Sequence, residues 1–121
     1  MTALGCTFSE ITQLIKRNGD GTLTENPLQV IVDQDPQLFA LLENTRELAF
    51  VEDGIPLKYK LLLAMSLDAA NGAVNGVKFL AVQAMQEGAT KEEVMQAIRI
   101  TQYIYGVGSV YTASEALKDI M

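Results

Sequence analysis

The stretch that decides the fold reads AMQEGATKEEV, residues 84–94. Gly88 is typical of the position just past a helix end, because glycine readily adopts the left-handed backbone that closes many helices. Two residues later, Thr90 and Glu93 have the spacing of a capping box, in which each side chain satisfies a free backbone N–H at a helix start. The stretch therefore predicts that one helix ends and another begins within a few residues.

Helical periodicity continues on both sides of this connector. Before it, apolar residues recur at spacings of three and four (Val77, Leu80, Ala81, Ala84 and Met85). After it, the same spacing gives a predicted inner face of Val94, Ala97, Ile98, Thr101 and Ile104. Gly106-Val107-Gly108 interrupts the second series, and a last helix carries Val110, Ala113, Leu117 and Ile120. This spacing is typical of helices with one buried face.

Helix starts are also recognisable upstream. Asp35-Pro36 places a capping carboxylate before a proline at the first helical position, and Pro56 opens a helix that is apolar over most of residues 61–70. Asn26-Pro27 predicts a short helix, and an earlier one carries Phe8, Ile11, Leu14 and Ile15. Since no strand-like alternation of useful length occurs, the sequence predicts a compact all-α domain of about six helices.

Length and composition indicate one globular domain. The chain has 121 residues, of which 49 % are apolar, so a hydrophobic core can form. We expect residues 1–121 to form a single domain, with residues 1–25 as an N-terminal extension and connector.

The charge balance excludes several classes of partner. Fifteen acidic residues against nine basic ones give a net charge of −6, which disfavours nucleic acid and anionic membrane surfaces. The most apolar run, residues 61–65, is far shorter than the ~20 residues of a membrane span. The N-terminal residues lack the pattern of a signal peptide, so we expect a cytoplasmic protein.

Cysteine and histidine usage limits the chemistry. The chain has one cysteine, Cys6, and no histidine. It therefore has no internal disulfide, no cysteine-based zinc site and no imidazole base or ligand. We expect no metal and no cofactor, and we interpret Cys6 as a partly buried structural residue.

The order of several segments carries a resemblance. These segments are Asp35-Pro36-Gln37-Leu38, Leu57-Lys58-Tyr59-Lys60, Ala69-Ala70-Asn71-Gly72 and residues 84–94. Over about residues 26–117, the chain is similar to the alkylhydroperoxidase D-like / carboxymuconolactone decarboxylase family. The resemblance implies that family's helical fold and assembly into homotrimers, or homohexamers built from such units.

The resemblance also shows what is missing. The redox branch of the family uses Glu-x11-Cys-x2-Cys-x3-His, with the cysteines just after Asn-Gly. Aligned on Asn71-Gly72, these four positions hold Leu61, Ala73, Gly76 and Leu80. Such residues provide neither a thiolate nor an acid–base relay. They either pack between helices or line a retained pocket for an apolar or weakly polar ligand.

Polar residues near these positions are the candidate ligand contacts, and none is assigned as catalytic. The candidates are Lys60, Asp68, Asn71, Asn75 and Tyr103. Asp68 lies on an otherwise apolar helix, where an unpaired buried carboxylate is costly. We therefore expect it to be exposed or paired with Lys60 or Lys78, the alternative being that it lines a cavity.

These observations favour a non-redox homologue with a structural or small-ligand-binding role. Several helices are apolar on more than one face, and exposed apolar patches usually mark interfaces, so self-association is expected. The alternative is an enzyme acting on a small organic acid, lactone or hydroperoxide through non-standard residues such as Lys60, Asp68, Asn75 and a tyrosine. A third interpretation is a subunit that assembles with an intact paralogue.

Overall fold

The computed structural model describes residues 27–121. Over this range the chain forms six helices and no strand: α1 (Gln29–Gln34), α2 (Pro36–Ala49), α3 (Leu57–Ala70), α4 (Val74–Gln86), α5 (Lys91–Tyr105) and α6 (Gly108–Leu117). The predicted all-α class is confirmed. The predicted helix around Phe8, the residue Cys6 and the extension 1–25 lie outside the described residues. None of the six helices has the length and apolar content needed to cross a bilayer.

The predicted helix boundaries are confirmed at both capping motifs. The Leu38 N–H donates to Asp35 Oδ1 over 3.0 Å, and Pro36 is the first residue of α2. At the start of α5, the Thr90 N–H donates to Glu93 Oε1 (2.9 Å) and the Glu93 N–H donates to Thr90 Oγ1 (3.0 Å). Gly88, between α4 and α5, has a φ of +103°, a conformation that side-chain-bearing residues rarely adopt.

The described residues fall into two compact units, divided between Asp53 and Gly54. The described part of the first unit is the pair α1 and α2. Asp35 joins them, because its N–H donates to the Ile31 carbonyl (2.8 Å) while its carboxylate caps α2. The expectation of a single domain stays a prediction.

The second unit contains helices α3 to α6, with α3 packed against the other three. The buried apolar side chains come from all four: Leu57, Leu61, Leu62, Met65, Ala69, Val77, Ala81, Ala84, Val94, Ile98, Ala113, Ala116 and Leu117. Because each fully buried large apolar side chain contributes about 1.5–3 kcal/mol, this cluster dominates the stability of the unit. Alanines in α3, α4 and α6 allow the helix backbones to approach closely.

Candidate functional site

The four positions singled out by the resemblance lie on α3 and at the start of α4. Leu61 is completely buried in α3. Ala73 directly precedes α4, Gly76 is in the first turn of α4, and Leu80 follows one turn later. The turn between the helices contains Gly72 at a φ of +77°. The placement of Ala73 and Gly76 at a helix start agrees with the alignment.

Contacts on opposite sides of α4 show which side faces α3. A side chain at Gly76 would meet Asp68 of α3. Lys78, two residues on, points the other way and pairs with Asp119, which follows α6, over 3.6 Å. At 100° per residue, Leu80 and Gln83 share the side of Gly76. We call this contact between the two helices the α3–α4 seam. Its residues are Leu61 and Asp68 of α3 and Gly76, Leu80 and Gln83 of α4.

Asp68 fills the space beside Gly76. A Cβ built at Gly76 would lie 2.8 Å from Asp68 Cγ and closer still to Oδ2. Within residues 27–121 the Asp68 carboxylate makes no ion pair or hydrogen bond, although the backbone carbonyl of Asp68 accepts from the Asn71 and Ala73 N–H groups (3.1 and 2.9 Å). Burial raises the pKa of the carboxyl above its usual value of 3.8. The expected pairing with Lys60 or Lys78 is not found, since Lys78 binds Asp119. Asp68 is instead half-buried on the seam.

Gln83 was not anticipated from the sequence. Its side chain is only 1 % exposed, and neither its amide nitrogen nor its amide oxygen has a hydrogen-bond partner in the described structure. A buried polar group without a partner costs about 1–3 kcal/mol. Helical spacing places Gln83 one turn beyond Leu80 on the same side of α4, but the spacing does not show that this side is covered.

The other candidate ligand contacts are not gathered at the seam. Asn71 is exposed and terminates α3, its N–H donating to the Leu67 carbonyl over 3.0 Å. Asn75 is exposed in the first turn of α4, and Lys60 is half-buried in α3. Tyr103 lies on α5 and is 84 % exposed. Within the described residues, Asp68 is the candidate whose side chain is seen to lie against one of the four positions singled out by the resemblance, Gly76.

A surface groove lies between α3 and α5. Its volume is about 430 Å³, and its lining residues are Tyr59, Leu62, Leu63, Ser66, Glu93, Gln96, Ala97 and Ile100. At one end Glu93 accepts a hydrogen bond from the Tyr59 hydroxyl (3.5 Å) and pairs with Lys58 (3.3 Å). The hydrogen bond from the Thr90 N–H lowers the pKa of the Glu93 carboxyl most, and the Lys58 ammonium lowers it further. The groove thus offers apolar walls and a carboxylate that already has partners.

The part of the chain that the structure describes contains no cluster of side chains suited to bind a metal ion. No group of three or more His, Cys, Asp or Glu side chains comes together there.

Comparisons with known proteins agree with the fold. The family model for carboxymuconolactone decarboxylases matches residues 36–119. A carboxymuconolactone decarboxylase family protein from Legionella pneumophila has a similar crystal structure, with a TM-score of 0.71, 25 % identity and coverage of 93 % of this chain and 92 % of the other. A Burkholderia xenovorans protein described as a carboxymuconolactone decarboxylase shares the fold, with a TM-score of 0.72, 21 % identity and coverage of 93 % and 90 %. No protein of curated function matches the chain.

Proposed function

Because this chain belongs to the carboxymuconolactone decarboxylase family, we propose that it keeps the helical scaffold without dithiol redox chemistry. In this proposal the protein is a homo-oligomer with a structural or small-ligand-binding role. The α3–α4 seam is the place where a ligand would bind.

The contact between Asp68 and Gly76 carries the proposal. Dithiol chemistry needs a thiolate and a second thiol that resolves the oxidised sulfur. The second thiol position of the resemblance is Gly76, where the Asp68 carboxylate would have to move aside before any side chain could be accommodated. The acid position is Leu61, which is completely buried among apolar side chains. These side chains favour packing and binding over thiol oxidation.

The proposed self-association is supported by apolar side chains at the surface of each unit. In α2, Leu41 and Leu48 are exposed, and in α5 so are Ile100 and Ile104. Exposed apolar surface of this kind on a soluble domain usually marks an interface.

One observation favours an enzyme as the second candidate. The Asp68 carboxylate lacks a partner in the described structure, and burial raises its pKa. A carboxyl with a raised pKa beside a helix start is a candidate general acid or base for a small organic acid or lactone. The exposed Asn75 and Tyr103 do not join it.

Hydroperoxide reduction by a dithiol reductant tests the proposal. We expect wild type, Cys6→Ser and Asp68→Asn to reduce hydroperoxide no faster than the uncatalysed reaction. Turnover well above this background that survives Cys6→Ser would overturn the non-redox proposal, and turnover lost in Cys6→Ser would assign a single-thiol active site. Turnover of a lactone that Asp68→Asn abolishes would select the enzyme alternative.

A further inference from the structure

Two helices of the second unit expose apolar side chains side by side. Six such side chains have exposed fractions between 42 % and 84 %: Tyr59, Leu63 and Leu67 of α3, and Ile100, Tyr103 and Ile104 of α5. We call this surface the α3/α5 face. It contains the groove of about 430 Å³ described above.

The α3/α5 face has a concave half and a raised half. Tyr59 contacts Glu93 at one end of the groove, and Ser66 and Ile100, each seven residues further along, line the same groove. The two helices therefore run in the same direction, and the groove occupies the first half of the face. Beyond it, Leu67, Tyr103 and Ile104 are 66 %, 84 % and 75 % exposed and form a ridge.

The apolar area of the face is that of a stable interface. A whole tyrosine side chain buries about 200 Å² and a whole leucine or isoleucine about 90 Å², so the six exposed portions amount to roughly 500 Å². A standard interface buries about 800 Å² on each partner, of which somewhat more than half is apolar. The face supplies this apolar share.

The absence of net charge on the α3/α5 face favours a second copy of this chain as its partner. Copies of a chain with net charge −6 repel one another, so they associate best through a surface that carries no net charge. The six apolar residues and the neighbouring Ser66 and Gln96 are uncharged, and the charges of Lys58 and Glu93 at the groove end neutralise each other. A second copy of this chain meets that requirement.

We propose that the α3/α5 face is a two-fold contact with a second copy of the chain. The ridge of each copy, formed by Leu67, Tyr103 and Ile104, enters the groove of the other. A two-fold axis makes this exchange reciprocal, because the same residues form both halves of an isologous interface. Ile100, at the boundary between groove and ridge, lies next to the axis. The inference rests on the proposed homo-oligomer and specifies which surface forms one of its contacts.

Light scattering on wild type, Ile104→Asp and Met95→Asp tests the face. Met95 is a matched control, because it is an exposed apolar residue of α5 that lies in a different groove, with Ile98 and Val110. Ile104→Asp places a charge in the contact and is expected to weaken it by roughly thirtyfold or more. Its assembly mass should fall to about half at micromolar concentration. Met95→Asp should keep the wild-type mass.

The outcomes separate this inference from the proposed function. A wild-type mass near 13.2 kDa overturns the homo-oligomer and the face together. A wild-type oligomer whose mass is unchanged in Ile104→Asp, or that falls equally in Met95→Asp, overturns the face alone.

Cross-linking tests the two-fold axis. In a Cys6→Ser background, Ile100→Cys should form a covalent dimer under mild oxidation, because a residue beside a two-fold axis lies next to its own copy. Met95→Cys in the same background should stay uncross-linked. A wild-type oligomer in which Ile100→Cys gives no covalent dimer overturns the two-fold arrangement.

Discussion

Adding one methyl group at Gly76 probes the packing of the α3–α4 seam directly. In Gly76→Ala the new Cβ would lie 2.8 Å from Asp68 Cγ and 3.4 Å from Asp68 Cβ, with Oδ2 nearer than either. The carboxylate must therefore rotate away from α4. The matched control is Gly108→Ala at the start of α6, where an added Cβ meets no atom within 4 Å.

Two effects of opposite sign set the magnitude. Replacing glycine by alanine within a helix stabilises it by up to about 1 kcal/mol. Overpacking by an extra methyl group costs about 1–3 kcal/mol. We therefore expect Gly76→Ala to leave the free energy of unfolding unchanged or to lower it by up to about 2 kcal/mol. In an Asp68→Ala background the clash is absent, and the same substitution should stabilise by up to about 1 kcal/mol, as Gly108→Ala should in wild type.

Urea denaturation of the four proteins in this double-mutant cycle measures the coupling between positions 68 and 76. The expected coupling free energy is about 1–3 kcal/mol, within the range found for residues in contact. An equal effect of Gly76→Ala in both backgrounds would refute the reasoning, because it would mean that Asp68 does not occupy this space. The non-redox proposal would then lose its main structural support.

Three further predictions concern single side chains. Thr90→Ala removes the cap of α5 and should lower the free energy of unfolding by about 1 kcal/mol, whereas Thr112→Ala within α6 should change it by less than about 0.5 kcal/mol; equal losses in denaturation would contradict this. Because burial raises the pKa of Asp68 above 3.8, the folded state binds this proton more tightly than the unfolded state, so the carboxyl lowers stability as pH rises through the folded pKa. Asp68→Asn should therefore gain stability over wild type as pH rises from 3 to 7, and a pH-independent difference in denaturation midpoint would count against it. Gln83→Met keeps the side-chain shape without the unpartnered amide and should raise the free energy of unfolding by about 1–3 kcal/mol; a loss in thermal or urea unfolding would mean that the amide has a partner.

Local chemistry explains why the helices could be predicted from the sequence. A cap depends on residues that are three apart, as at Asp35 and Thr90, so its signal is complete within one short stretch. Both caps occur as predicted. The start of α1 at Gln29 lies two residues after Pro27, a typical boundary difference where no side chain caps the helix.

The partners of the seam residues could not be predicted in the same way. Lys78 is ten residues from Asp68 but pairs with Asp119, which is brought close only by the packing of α4 and α6. The burial of Gln83 likewise depends on what covers the flank of α4, and helical periodicity does not specify that. Sequence spacing placed Ala73 and Gly76 at a helix start, but only the fold shows that Asp68 fills the space beside Gly76.

The α3–α4 seam nevertheless distinguishes between the structural role and the small-ligand-binding role left open by the proposed function. A protein with a purely structural role gains nothing from an unpartnered amide at Gln83 or an unpaired carboxyl at Asp68, because both lower the stability of the folded state. Natural proteins retain such groups mainly at functional sites, where a ligand or a reaction offsets their cost. Helical phase places Gln83 on the side of α4 that carries Gly76 and Leu80, and the Asp68 carboxylate of α3 lies against Gly76. The cost of both groups therefore falls at the positions where the family resemblance locates its chemistry. This coincidence favours small-ligand binding over a purely structural role.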